Sequence, residues 1–259
     1  MVKLSEPKSK DKLMNFIFLK NILSISVISL LFINSSIGDM KRISFKAQNG
    51  DLRDYVVFEP ENYDSSKPWP IILFLHGAGE RGEDGWKPTQ VGIGKILKSN
   101  PQLYPALVIM PQLRENEGWC VGRGLDIAVL ALQDANKRYT IDPHRIYLTG
   151  ISMGAYGTWE LSSRFPSFFA AAIPIAAGKY PDEYTENLIH LPIWAHHSSE
   201  DEVCPVDATR EMVKRIKDLG GLKVLYSELN GFIHKETWDP VYENPEVLNW
   251  LLSQVNSCQ

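Results

Sequence analysis

Ile146-Tyr147-Leu148-Thr149-Gly150-Ile151-Ser152-Met153-Gly154-Ala155-Tyr156-Gly157-Thr158-Trp159-Glu160-Leu161 passes from an apolar run through a Gly-flanked serine into a second, helix-forming run. Ile146 to Thr149 is apolar and β-branched, the composition of a strand buried on both faces. From Ser152 to Phe165 the chain turns helical. Between the two lies Gly150-Ile151-Ser152-Met153-Gly154, which fits G-x-S-x-G. Alone the pattern is weak, and a serine in a Gly-flanked turn is its plain structural reading. Between a strand and a helix it is specific. A turn that tight crowds the serine backbone, so the positions two before and two after must be small, and Oγ is left exposed at the carboxyl end of the strand. The helix N-terminus beside it supplies free N–H groups and partial positive charge for a developing oxyanion. Ser152 is therefore the candidate nucleophile, and the backbone N–H of Met153 a candidate oxyanion donor.

Asp54–Glu59, Ile71–Leu75, Ala106–Met110, Ala170–Ala176, Ile193–His197 and Val224–Leu229 read as further strands. Leu125–Tyr139, Asp207–Leu219 and Pro245–Gln254 read as helices, with Asp207 as an N-cap and Pro245 at a favoured first position. Strands alternating with helices imply an α/β fold, a mostly parallel central sheet with helices on both faces. The polar, Gly-rich stretch from Gly77 to Asn100 reads as a long loop, of the kind that is often functional. His76-Gly77-Ala78-Gly79 follows the Ile71–Leu75 strand directly. Its glycines let backbone approach a substrate oxygen, so Ala78 is expected to offer the second oxyanion N–H, with Gly79 as the alternative.

The base and acid should follow Ser152 in the order acid, then histidine, which sets His76 aside. His234, after the last strand, is the expected general base. Glu200, Asp201, Glu202 and Asp207 all follow the Ile193–His197 strand. Asp201, three residues before Cys204-Pro205, is the expected acid, Glu200 and Glu202 are its competitors, and His196 or His197 could shape that loop.

The chain has 259 residues, enough for one α/β domain, and its 44% apolar and 22% charged content is that of a folded globular protein. A net charge of -4 does not suit a nucleic-acid partner. Residues 1–38 differ from the rest. Lysines at 3, 8, 10, 12 and 20 precede the apolar run Ile22–Ile33, and Ser36-x-Gly38 is spaced like a cleavage site. This reads as a signal peptide, with translation from Met1 or Met14, and implies a secreted or periplasmic protein with no stable membrane partner after cleavage. An uncleaved anchor is the alternative. The catalytic domain is then 39–259. Cys120, Cys204 and Cys258 have no metal spacing. Cys120 and Cys204 could pair after export, though two unlinked thiols are the simpler reading. No metal and no cofactor is expected.

Ile141 to Gly154 resembles the elbow of the prolyl-oligopeptidase-like and dienelactone-hydrolase-like esterases, a branch of the α/β-hydrolase superfamily. The resemblance extends over Leu75–Gly82, Met110-Pro111-Gln112 with Trp119, His197 through Pro205-Val206, and His234 through Tyr242 to Trp250-Leu251-Leu252. It implies the α/β-hydrolase fold and a Ser152–Asp201–His234 triad. Many such esterases are secreted, and some act on acylated plant polysaccharides, so the expected substrate is a small-molecule or carbohydrate ester. Ser198, Ile233 and Ala155 depart from the family's usual glycines. Trp86, Trp119 and Trp238 fall in loops near the active face, where a ring could stack on a sugar or aromatic acyl group or simply pack. Trp119 is taken as the substrate contact. A small serine peptidase and a non-catalytic binding protein are the competing functions.

Overall fold

Alternate residues of one strand, β3 (Trp69–Leu75), enter two different cores. Ile71, Leu73 and Leu75 join one apolar cluster, while Ile72 and Phe74 join the other. β4 (Leu107–Pro111) does the same with Leu107 and Ile109 against Val108 and Met110. A strand that is apolar at every position therefore requires a layer on each side.

The structure is a computed structural model, and it describes residues 38–47, 49–177 and 182–257. Apart from Gly38, the expected signal 1–38 lies outside the described residues, as does Cys258. The strands form one eight-stranded sheet in the order β1-β2-β4-β3-β5-β6-β7-β8. β1 (Asp39–Lys46) and β2 (Leu52–Glu59) are antiparallel additions at one edge. The remaining strands run parallel: β3, β4, β5 (Ile141–Ile151), β6 (Ala171–Ile175), β7 (Ile193–Ser198) and β8 (Val224–Leu229). On one face pack α2 (Gly124–Arg138), α3 (Met153–Arg164) and α4 (Val206–Asp218). On the other pack α1 (Gly92–Ser99), α5 (Trp238–Glu243) and α6 (Pro245–Ser253). The α/β class and the two covered faces are as expected.

Four local readings need correction. β1 is not legible in Asp39–Lys46 because its side chains are mostly polar and, of the eight, only Phe45 is buried. The Gly77–Asn100 stretch is not all loop: Ile93, Ile96 and Leu97 give α1 its apolar side. α4 starts one residue before Asp207, with Pro205 in the N-cap position, and Asp207 pairs with Arg210 at 2.6 Å instead of capping. α5 was hidden by Pro240, which sits in the first turn, where its missing N–H costs nothing.

Candidate active site

β5 is flanked by β3 and β6 and delivers Ser152 at its carboxyl end, immediately before α3. Ser152 has φ 50° and ψ -118°, a conformation an L-residue adopts only under constraint. The constraint is visible on both sides. A Cβ on Gly150 would come within 2.3 Å of the Gly154 carbonyl oxygen, and one on Gly154 within 1.9 Å of the Leu75 carbonyl oxygen. The Ser152 N–H donates to the carbonyl of Ile175 at 2.9 Å, tying the turn to the end of β6. Met153 is the first residue of α3, so its N–H has no partner within the helix.

The loop after β3 lies against this turn. The Cβ position of Gly77 is 3.7 Å from Ser152 Cβ. Two side chains fix the loop's peptide planes. Trp119 Nε1–H donates to the His76 carbonyl at 2.8 Å. His76 Nε2 accepts the Leu113 N–H at 3.0 Å, so Nδ1 carries the hydrogen and donates to the Gly77 carbonyl at 2.6 Å. Burial pushes the His76 pKa down to about 4, which keeps the ring neutral in that tautomer. In a trans peptide the N–H points opposite the carbonyl. Pinning the Gly77 oxygen to His76 therefore turns the Ala78 N–H away from His76.

β7 and β8 supply the other two groups. His234, buried in a short turn after β8, stands with Nε2 2.8 Å from Ser152 Oγ and Nδ1 2.6 Å from Asp201 Oδ2. Asp201 follows β7, and its side chain is fully buried. Its Oδ1 accepts the N–H groups of Val203 and Cys204 at 2.9 and 2.8 Å. Burial works against the charge on Asp201, but the hydrogen bonds from His234 and those two N–H groups outweigh it and hold the carboxyl below the usual range. Trp238 meets the His234 ring edge-on at 5.4 Å.

The three adjacent acidic side chains have separate partners. Glu200 Oε1 accepts the Gly231 N–H at 2.9 Å, and Glu202 Oε2 accepts the backbone N–H of His234 at 3.0 Å. Only Asp201 meets the imidazole. Ser198, where the resembling esterases carry glycine, donates from Oγ to the Phe232 carbonyl at 2.5 Å. The structure thus brings Ser152, His234 and Asp201 together, with Met153 next in the chain and Gly77, the residue before Ala78, against the serine.

Trp119 is placed otherwise than expected. It has no exposed surface, packs edge-on to His76 and sits against Gly157 of α3. It is a prop beneath the loop and does not present a face to substrate. Its role and that of His76 were not legible, because Trp119 donates to a carbonyl forty-three residues away and His76 accepts an N–H thirty-seven residues away. Cys120 is exposed and Cys204 buried, and no disulfide joins them. Among the described residues no three His, Cys, Asp or Glu side chains are grouped as metal ligands.

Residues 100–227, which include Ser152 and Asp201, match the Dienelactone hydrolase family. The chain is 26% identical over 192 residues to "Probable feruloyl esterase C" of Aspergillus terreus, covering 73% of this chain and 69% of that protein. It is 27% identical over 181 residues to "Poly(3-hydroxyalkanoate) depolymerase C" of Paucimonas lemoignei, covering 62% of this chain and 40% of the depolymerase. Among solved structures, a thermostable esterase superposes with a TM-score of 0.75 at 33% identity, over 84% of this chain and 63% of that one. With a strand–serine–helix turn on a two-faced parallel sheet, the chain has the α/β-hydrolase fold, and it is similar to carboxylester hydrolases of that superfamily.

Proposed function

We propose that the chain is a serine carboxylesterase in which Ser152 is the nucleophile, His234 the general base and Asp201 the acid that orients it. The observation that carries this reading is the unbroken line Ser152 Oγ, His234 Nε2, His234 Nδ1, Asp201 Oδ2, with 2.8 Å at the first junction and 2.6 Å at the second. In this reading His234 takes the Ser152 proton as Oγ attacks the ester carbonyl, and the N–H groups of Met153 and Ala78 receive the oxyanion. His234 then protonates the leaving alcohol. The acyl-enzyme is hydrolysed by a water that His234 activates in turn. Asp201 stays ionised throughout and holds the imidazole in the Nδ1–H tautomer.

For the substrate we propose an ester of an acylated carbohydrate, a reading supported by the similarity to proteins named feruloyl esterases. Residues 1–38 would act as an export signal, which the lysine-rich start, the apolar run and Ser36-x-Gly38 support. The test is turnover of p-nitrophenyl acetate, feruloylated and acetylated sugars, and a dipeptide amide, each beside Ser152→Ala. Ester turnover that Ser152→Ala abolishes, with the amide untouched, is the expected result. Amide turnover exceeding ester turnover would make the chain a peptidase, and turnover surviving Ser152→Ala would displace Ser152.

A further inference from the structure

Asp201 carries one donor more than its proposed role requires. Oδ1 takes two backbone N–H groups, from Val203 and Cys204, and Oδ2 takes His234 Nδ1–H. The fourth partner is a second histidine. His197, on β7 and fully buried, stands with Nε2 3.0 Å from the same Oδ2 and 3.0 Å from the Cys204 carbonyl. Both neighbours of Nε2 are acceptors, so Nε2 carries the hydrogen. Nδ1 lies 2.8 Å from Thr209 Oγ1, which is also 3.1 Å from the Ala177 carbonyl at the end of β6. A carboxylate offers about four acceptor positions, and here all four are filled.

We propose that His197 is a positioning residue that sets the basicity of His234 by sharing Oδ2 of Asp201 with it. The proposal rests on the reading of Ser152, His234 and Asp201 as a catalytic triad. The physical argument is competition for one lone-pair region. Negative charge on Oδ2 raises the proton affinity of His234, because it stabilises the imidazolium through Nδ1–H. A second N–H on that oxygen draws off part of the charge. His234 holds the shorter contact, 2.6 against 3.0 Å, so His197 tempers the pair without replacing either partner. His197 also keeps the carboxylate from rotating, since Thr209 fixes the far side of the ring.

The other groups facing this pair are already engaged. Glu202 accepts the His234 backbone N–H, and Glu236 accepts that of Ile233 on the same turn. Ser152 Oγ and the Trp238 ring face the His234 imidazole. Glu228 on β8, whose charge couples to His197, is ion-paired to Arg210 at 2.5 Å. Asp201 is thus the hydrogen-bonded route by which His197 acts on His234, beside the direct repulsion the two rings would feel if both were charged.

The two amide analogues of histidine separate this from a packing role. A Gln amide nitrogen reaches the place of Nε2, and an Asn amide nitrogen the place of Nδ1. His197→Gln keeps the donor to Oδ2, whereas His197→Asn keeps only the Thr209 side. Two readouts are taken: the pH profile of kcat/KM on p-nitrophenyl acetate, and an NMR titration of the His234 ring. His197→Asn should move the acid limb and the His234 titration upward by about half a unit to one unit, the size of one hydrogen bond. KM should change less than about twofold, and His197→Gln should titrate with the wild type. An unmoved or lowered titration in His197→Asn, or an equal shift in both variants, overturns the proposal. If His197→Asn does not fold, Thr209→Val carries the test. It should shift the titration upward by a smaller amount, and no shift overturns the proposal. A wild type that hydrolyses no ester would sink the triad reading through the activity panel, while the NMR titration still reads the coupling.

Discussion

The Cβ that Gly154 lacks would lie 1.9 Å from the carbonyl oxygen of Leu75. The end of β3, which leads into the proposed oxyanion loop, and the first turn of α3, which follows the proposed nucleophile, are therefore in direct backbone contact. Even one methyl group at position 154 must push the two apart. Gly154→Ala should destabilise the fold by about 3 kcal/mol, at the upper end of what overpacking costs. Whatever protein survives should have lost most of its ester turnover. Urea unfolding and a kinetic assay on the soluble fraction check both halves. A variant as stable and as active as the wild type would mean that β3 and α3 can separate without consequence.

Asp201→Asn should lower kcat by roughly 10⁴-fold with the fold intact, because the amide favours the wrong tautomer of His234 and removes the charge opposite the imidazolium. Glu200→Gln and Glu202→Gln should each stay within about tenfold of wild type, since those side chains hold backbone N–H groups and the amides still offer a carbonyl. Steady-state kinetics on one p-nitrophenyl ester decides it. A crippled Glu200→Gln or Glu202→Gln beside an active Asp201→Asn would reassign the acid.

Trp119→Phe separates a prop from a substrate contact. Phenylalanine cannot donate to the His76 carbonyl and leaves the space of the indole's second ring empty. The expected cost is about 3 kcal/mol of stability, with kcat falling and KM nearly unchanged. A raised KM at unaltered thermal stability would instead mean that the ring touches substrate.

Buried histidines weaken the fold on the acid side. Burial holds His76 at about 4 and His196 at about 3, both below the ordinary value near 6.5. Between pH 6.5 and about 4 the unfolded chain binds protons that the folded chain does not. Stability therefore falls as pH is lowered through that window, by about 3 kcal/mol for His76 alone. His196 stacks on Trp194 at 5.2 Å, and its Nε2 has no hydrogen-bond partner among the described residues. His196→Phe keeps a ring in the stack and removes the titration, so its denaturation midpoint should decline less from pH 6.5 to 4. An equal decline in both proteins would show that His196 is charged in the folded state.

What the sequence made legible follows what is local. The strand at Ile146–Thr149, the Gly-flanked serine and the apolar run Ile71–Leu75 each carry their own periodicity or composition, and these elements appear in the structure. β5 starts five residues earlier than read because Asp142 to Arg145 are polar or fixed by Pro143, although Ile141 already pairs with Trp69. Asp201 could be preferred to its neighbours by spacing, but the separate partners of Glu200 and Glu202 lie some thirty residues away. Trp119 was misjudged for the same reason: its partner His76 is forty-three residues distant in the chain. Local pattern carries elements, while long-range pairing decides which side chains face the chemistry.

The loops after β7 and β8 are stitched together by Ser198 to Phe232, Glu200 to Gly231 and Glu202 to His234, and β8 is the outermost strand of the sheet. An insertion in either loop would drag the other with it, so acid and base can only be re-spaced as a pair. Fraying of that sheet margin would remove both partners from the serine at once and leave the central strands standing. Ester turnover should then be lost on warming before the central strands melt.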